Sequence, residues 1–334
     1  MNAQIKEDML RGCVQNIRVF TPSWKLSVER FYQWMSAARV GCFKCALILG
    51  ESGTGKSKIL EHLASLFPEH REVEGIARPV LIVEMPHHAT AVSILQAVLH
   101  KLGDAHPSRG NRDEKMRRVG VLMEEQGVML LLLDDFQHLV DKGQNVVLYE
   151  SAECLKEILI TKGVGIVAAG LEDARKVILS DEQLIRRSPR PILVPRYDWS
   201  EERSQDEFVG FLTEIQGRMA DFDLPELDHP DMALRMYLAS GGLLGYLADI
   251  LAQATWDAID QKRRKISMKD LAMARDQVIF EDAAQAGNPF SVKFKLYEDL
   301  ERKLEQAKLM NRRVERPNRR LQKGKKGLLE KVGL

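Results

Sequence analysis

The sequence predicts an α/β protein: a five-stranded parallel sheet covered by helices, followed by a small all-helical domain and a basic C-terminal tail. Three features lead there. Five short aliphatic runs recur between residues 44 and 195, each separated from the next by enough chain for a crossover helix. A glycine-rich loop of phosphate-binding type lies between the first run and a helix. Beyond residue 200 the aliphatic runs stop and helical patterning takes over.

Taken in order, residues 1–37 read as an N-terminal helical segment and residues 38–200 as a nucleotide-binding α/β core. The expected strands of that core are Cys45-Ala46-Leu47-Ile48-Leu49, residues 80–83, residues 128–133, residues 165–168 and residues 192–194. They are apolar at consecutive positions, the pattern of parallel strands buried on both faces. Pro189, Pro191 and Pro195 close the core, and residues 201–286 read as helices broken by Pro225, Pro230 and Gly241-Gly242. Gly287-Asn288-Pro289 opens the last part, residues 287–334, with an amphipathic stretch over 292–313 and then the tail.

Composition narrows the function classes. With 45% hydrophobic and 29% charged residues the chain is neither collagen-like nor wholly disordered. The longest aliphatic run, residues 128–133, is far short of the roughly 20 apolar residues of a membrane helix. The N-terminus lacks the basic-then-apolar order of a signal peptide, and there are only four cysteines, so a cytoplasmic protein without membrane attachment is expected. Cys42-Phe43-Lys44-Cys45 has half-site spacing but no second pair, which argues against zinc. The net charge of +1 conceals an asymmetry: residues 302–334 hold 12 Lys/Arg against three Glu, and the 301 residues before them sum to −8. A basic tail on an acidic body suits a polyanion such as DNA, and a merely solvated terminus is the competing reading.

The motif Gly50-Glu51-Ser52-Gly53-Thr54-Gly55-Lys56-Ser57, with Lys58 following, matches G-x-x-x-x-G-K-[ST] in full. Backbone N–H groups and a helix N-terminus would cradle the phosphates of ATP, Lys56 would reach the β and γ phosphates, and Ser57 would ligate Mg²⁺. The run over 128–133 ends in Asp134-Asp135. Asp134 is expected in the Mg²⁺ shell and Asp135 as the group that polarises water. In oligomeric ATPases a basic residue just before the last strand stabilises the neighbour's γ-phosphate in trans; Arg187 is the first candidate and Arg186 the second. His87-His88, expected in the exposed loop after the second strand, and residues 101–118 with Arg109, Arg112, Lys115, Arg117 and Arg118, are candidate DNA contacts. Glu114, Glu124 and Glu125 make a solvated helix face equally consistent.

These elements, in this order, resemble the TniB/TnsC family of AAA+ transposition regulators over roughly residues 18–290. Besides the phosphate loop, the similarity is carried by Asp134-Asp135-Phe136-Gln137-His138-Leu139 (family pattern D-E-x-x-[HN]-L) and Ala169-Gly170-Leu171-Glu172-Asp173-Ala174 (V-G-T-x-x-A). Residues 181–187 (D-x-Q-L-x-x-R), Pro195-Arg196-Tyr197-Asp198-Trp199 and Ser240-Gly241-Gly242-Leu243-Leu244-Gly245 in the helical lid complete it. The resemblance implies an AAA+ ATPase that forms homo-oligomeric rings or filaments on double-stranded DNA. It further implies a link between a target selector of the TniQ/TnsD type and a DDE transposase, as in Tn-type and CRISPR-associated transposons. Three departures point to slow hydrolysis: Asp135 replaces Glu, Leu171 replaces a polar sensor, and Leu243-Leu244 stand where many AAA+ proteins carry a sensing Arg. A replication-initiator or helicase-loader ATPase, and a nucleotide-stabilised DNA scaffold with negligible hydrolysis, are the alternatives.

Overall fold

Strands β1 (Cys45–Leu49), β4 (Val80–Glu84), β5 (Leu130–Asp134), β6 (Gly165–Gly170) and β7 (Ile192–Leu193) form one sheet in the order β4-β5-β6-β1-β7, every pair parallel. The computed structural model describes residues 3–73, 75–87, 89–140, 145–280 and 287–310. All five expected strands are present, and their consecutive apolar residues serve two cores. Cys45, Leu47 and Leu49 of β1 enter one core, and Ala46 and Ile48 enter the other. On β5, Leu131 and Leu133 face the first core while Leu130 and Leu132 face the second. Helices α4 (Ala91–Lys101), α5 (Arg112–Glu125) and α6 (Asn145–Lys156) cover the first face, and α2 (Pro22–Arg39) and α3 (Lys56–Ser65) cover the second. The hairpin β2 (His70–Glu72) and β3 (Gly75–Ala77) was not anticipated, since its residues are mostly exposed and have no apolar alternation.

A third core belongs to the helical lid, α9 (Glu202–Arg218), α10 (Pro230–Ser240), α11 (Leu244–Asp260) and α12 (Met268–Val278). Two elements from the chain ends join it. Helix α1 (Ala3–Arg11) contributes Leu10, Arg11 pairs with Asp260, and Trp256 Nε1 donates to the Arg11 carbonyl at 2.7 Å. The N-terminal segment expected as one piece therefore divides, α1 packing on the lid and α2 on the sheet. Helix α13 (Leu300–Lys308) enters the same core through Ala307, followed by Met310. It is shorter than the amphipathic stretch expected over 292–313, because Asp299 adopts the left-handed conformation (φ 50°) just before it. The basic residues from Arg312 onward, and His88, lie outside the described residues. No described helix is long and apolar enough to cross a membrane.

The connection from α4 to α5 is held from beneath. Lys115 on α5 is 1% exposed and donates to the carbonyls of Pro107, Ser108 and Arg109 at 3.1, 2.6 and 3.0 Å. Arg118 pairs with Asp104 at 2.7 Å and donates to His106 O and Arg109 O. Two of the cations expected to face DNA thus face the protein's own loop, and Arg112 is paired with Asp113 and Glu157. Arg109 and Arg117 remain exposed. Replacing Lys115 by Met keeps the packing but strands three carbonyls, so Lys115→Met is expected to cost about 3 kcal/mol in urea unfolding. A loss below about 1 kcal/mol would show the loop holds itself.

Candidate active site

The phosphate loop runs from β1 into α3. Gly53 and Gly55 take φ of 82° and 95°, a region other residues enter only with strain, and this turns the chain abruptly into the helix. No side chain caps α3. Among the described residues the backbone N–H groups of Gly55, Lys56 and Ser57 find no backbone acceptor, so they present converging donors and the positive end of the helix dipole. That donor set fits a polyphosphate. Lys56, nearly buried, rests its Nζ on the Glu51 carbonyl at 2.7 Å, and Thr54 Oγ1 donates to the same oxygen at 2.9 Å. Burial pulls the Lys56 pKa down, while the charges of Asp134, Asp135 and Glu51 oppose it. Lys58 pairs with Glu61 on the exposed side of α3 at 2.8 Å, which leaves only its backbone for a nucleotide.

Asp134 ends β5 beside this loop. Its carboxylate lies beside the Ser57 hydroxyl and accepts a hydrogen bond from the Asp135 N–H at 2.9 Å. Burial, with some help from the Asp135 charge, raises its pKa, against Ser57, the N–H and Lys56. A hydroxyl and a carboxylate brought together are hard oxygen donors and fit Mg²⁺. Asp135 follows in the left-handed conformation (φ 53°), at the start of a 3₁₀ turn, Phe136–Leu139. Its Oδ1 accepts from Gln137 Nε2 at 2.8 Å, a contact sequence reasoning did not foresee.

Arg186 and Arg187 end α8 (Glu182–Arg187), anchored by buried Leu184 and by Asp181, whose carboxylate accepts from Gln183 N and Leu184 N. Neither arginine makes an ion pair among the described residues, and neither acts on Lys56 or Asp134. Leu171 and Leu243 sit where polar sensors were missed in the sequence; Leu243 is fully buried. His87 lies edge-on to His138 with ring centroids 4.4 Å apart. Cys45 is buried in β1, its thiol pushed up to about 12, while Cys42 is exposed, so the C-x-x-C spacing brings no pair together.

Arg196 is the principal residue to which sequence reasoning assigned no role. It follows β7, its side chain is 9% exposed, and it forks onto Glu51 of the phosphate loop at 3.2 and 2.5 Å. The same guanidinium donates to the carbonyl of Gly241, which ends α10, and to those of Ala307, Lys308 and Met310 at the end of α13. Next to it the lid closes on the loop: Gly245 N donates to Gly53 O at 2.8 Å and Tyr197 N to Gly242 O at 3.0 Å. A Cβ on Gly245 would come within 3.0 Å of Gly53 Cα, and one on Gly242 would collide with the Tyr197 carbonyl. The Gly-Gly-x-x-Gly run is thus a requirement of backbone approach. Beside Thr54 a cavity of about 190 Å³ opens between Thr21, Tyr197, Ser204 and Leu244.

Residues 17–198, more than half of the chain, match the model of the family described as Bacterial TniB protein. The chain belongs to the TniB family. In fold it is similar to Cdc6p from Pyrobaculum aerophilum, at 18% identity, with 78% of this chain and 68% of that one covered and a TM-score of 0.56. It is also similar to ORC1 of Aeropyrum pernix solved in complex with DNA (17% identity, 80% and 69% covered, TM-score 0.55). A Walker-type ATPase of Pyrococcus abyssi matches over 91% of this chain and 93% of its own (17% identity, TM-score 0.52). Among curated proteins, the chloroplastic chaperone protein ClpC3 of Oryza sativa subsp. japonica is 24% identical over 172 residues, which is 51% of this chain and 16% of that protein. The fold of this TniB-family chain is that of the AAA+ P-loop NTPases, an α/β core with a helical lid.

Two outcomes follow from this geometry. Arg196→Ala strands Glu51 and four carbonyls and is expected to lower unfolding free energy by about 2–3 kcal/mol, read by chemical denaturation. Asp134 has a folded pKa above its unfolded value, so its ionised form destabilises the fold at neutral pH, and the cost disappears as pH falls through that pKa. Asp134→Asn should therefore have a higher Tm than wild type at pH 7.5, with the two values converging as the solution is acidified. A lower Tm at pH 7.5 would mean the Ser57 and Lys56 contacts outweigh burial.

Proposed function

We propose that this protein is an ATP-dependent regulator of DNA transposition. It assembles on double-stranded DNA without reading sequence, hydrolyses ATP slowly, and links a target selector of the TniQ/TnsD type to a DDE transposase. The observation that carries the reading is the convergence of Ser57 and Asp134 beneath an uncapped phosphate loop, in a chain of the TniB family.

In this mechanism the loop of residues 50–58 holds the nucleotide, the N–H groups of Gly55, Lys56 and Ser57 grip the phosphates, and Lys56 leaves the Glu51 carbonyl for the β and γ oxygens. Ser57 and Asp134 would hold Mg²⁺, which when bound neutralises charge on those oxygens. Asp135 takes the proton of the attacking water. Arg187 of a neighbouring copy, with Arg186 in reserve, stabilises the transition-state charge. The apolar Leu171 and Leu243 supply no sensing group, in keeping with slow turnover. The cavity beside Thr54 receives the nucleoside.

On the DNA side, exposed Arg109 and Arg117 and the basic residues beyond 311 are among the groups free to meet phosphates, contacts that position without specifying sequence. The ORC1 relative solved with DNA supports this side of the reading. The same likeness, with that to Cdc6p, favours a second reading, a replication-initiator ATPase. Co-purification with a replicative helicase in place of a transposase would select it.

The test is a mobility-shift titration of duplex DNA with and without ATP. Wild type should bind at least about tenfold more tightly with ATP, with affinity falling steeply as salt rises, and Lys56→Ala should lose the ATP effect. Equal binding by Lys56→Ala would reject nucleotide-gated assembly. A chain lacking residues 314–334 should bind DNA or the transposase more weakly; unchanged behaviour in both assays would reject a role for the tail.

A further inference from the structure

The carboxylate proposed to activate water lies at the end of a short side chain, next to a strand end that carries Leu171. What holds it is Gln137. Gln137 Nε2 donates to Asp135 Oδ1 at 2.8 Å, and Gln137 Oε1 accepts from the Leu171 N–H at 3.2 Å. Both ends of the amide are used, one by an acceptor-only carboxylate and the other by a donor-only N–H, which settles the orientation of the amide. The surroundings leave it little freedom. Gln137 sits in the 3₁₀ turn Phe136–Leu139, half-buried, between fully buried Phe136 and buried Leu139. A Cβ at Gly170 would come within 3.0 Å of Gln137 Oε1 and 3.2 Å of its N, so the glycine that ends β6 is what admits the amide.

We propose that Gln137 is the positioning residue for Asp135, fixing the carboxylate against the end of β6 so that Oδ2 faces the water; this rests on the reading of the site as an ATPase centre. The chemistry suits the task. A neutral amide orients the carboxylate without adding the cation that would strip its basicity, as an Arg or Lys would. It also answers the two departures at this place. Leu171 offers no polar side chain, but its backbone N–H anchors Gln137, and Gln137 carries the restraint to Asp135. Asp135 is one methylene shorter than Glu, and for such a group a misplacement near 1 Å costs about 100-fold in rate, so an orienting partner has large leverage.

The experiment is steady-state ATP hydrolysis with DNA present, together with the Kd of a fluorescent ATP analogue, for Gln137→Leu, Gln137→Glu, Asp135→Asn and the Gln137→Leu/Asp135→Asn double variant. Gln137→Leu keeps the volume and loses both hydrogen bonds. It should lower kcat about 10- to 100-fold while leaving nucleotide Kd within about twofold. In the Asp135→Asn background the same change should cost nothing further, because a residue that acts only through Asp135 has nothing left to position. Gln137→Glu keeps an acceptor for the Leu171 N–H but sets a second carboxylate against Asp135, and should be at least as slow; it carries the test should the Leu variant fail to fold. An unimpaired Gln137→Leu beside an inactive Asp135→Asn would overturn this inference alone. Additive losses in the double variant, or a kcat loss matched by an equal loss of nucleotide affinity, would reduce Gln137 to a structural residue. Full hydrolysis by Asp135→Asn would overturn the role given to Asp135, and none by wild type would overturn the ATPase reading; either takes this inference with it.

Discussion

One guanidinium ties the parts of this molecule together. Arg196 spends its donors on Glu51 of the phosphate loop, on the carbonyl that ends α10 and on three carbonyls that end α13. Carbonyls at helix C-termini lack intrahelical donors and carry the negative end of the dipole, so a cation there is favoured twice. Most other ion pairs are local, Lys58 with Glu61 or Arg218 with Glu214, and such exposed pairs contribute about 0.5 kcal/mol each within one helix. Arg196 is nearly buried, and a buried cation that loses its partners costs about 3–5 kcal/mol. Core, lid and C-terminal helix must therefore stay where that charge is satisfied. The lid cannot drift from the phosphate loop without breaking the Gly245 to Gly53 hydrogen bond and disturbing Arg196 in the same movement.

Charge is what supports the proposal of a site that binds nucleotide readily and turns it over slowly. Glu51, Asp134 and Asp135 bring three carboxylates to the loop, and the cations facing them are Lys56 and Arg196, the latter committed to Glu51. A triphosphate arriving there meets backbone N–H groups, the α3 dipole and one lysine. These ground-state contacts grip the nucleotide in every state, and uniform binding of that kind does not speed chemistry. Charge that develops only in the transition state needs donors aimed at it, and the side chains of Leu171 and Leu243 provide none. That shortfall is why the proposed trans arginine carries so much of the catalytic reading.

The fold was legible because parallel strands buried on both faces leave uninterrupted aliphatic runs, and the phosphate loop was legible because its chemistry demands fixed residues at fixed spacing. Ser57 and Asp134, proposed from separate motifs, meet in space. What escaped sequence reasoning depends on tertiary approach. Arg196 finds Glu51 across 145 residues and Met310 across 114, distances over which no periodicity speaks. Lys115 looked like one of a row of solvated cations, since burial of a lysine is rare; only the fold shows three carbonyls converging on it. Gln137 fell at a variable position of a motif whose acids drew the attention, and its bond to the Leu171 N–H needs β5 and β6 side by side.

The position of Arg196 also bears on the charge asymmetry of the chain. Met310 is the last described residue, and its carbonyl is bonded to the guanidinium that grips the phosphate loop. The 24 residues after it hold nine Lys/Arg against two Glu. Lys308, just before, pairs with Asp198 at 2.7 Å, so the departure point of the basic segment is pinned to the linker between core and lid. A polyanion bound by that segment would pull on α13, and α13 shares Arg196 with Glu51. Glu51 in turn supplies the carbonyl on which Lys56 rests. The end of α13, the lid and Lys56 are thus joined through two residues, Arg196 and Glu51. Binding energy gained at one end of that chain of contacts is felt at the other only insofar as these two move, so under the proposed function their rigidity, and not the number of contacts around them, is the quantity that would set coupling between DNA and nucleotide.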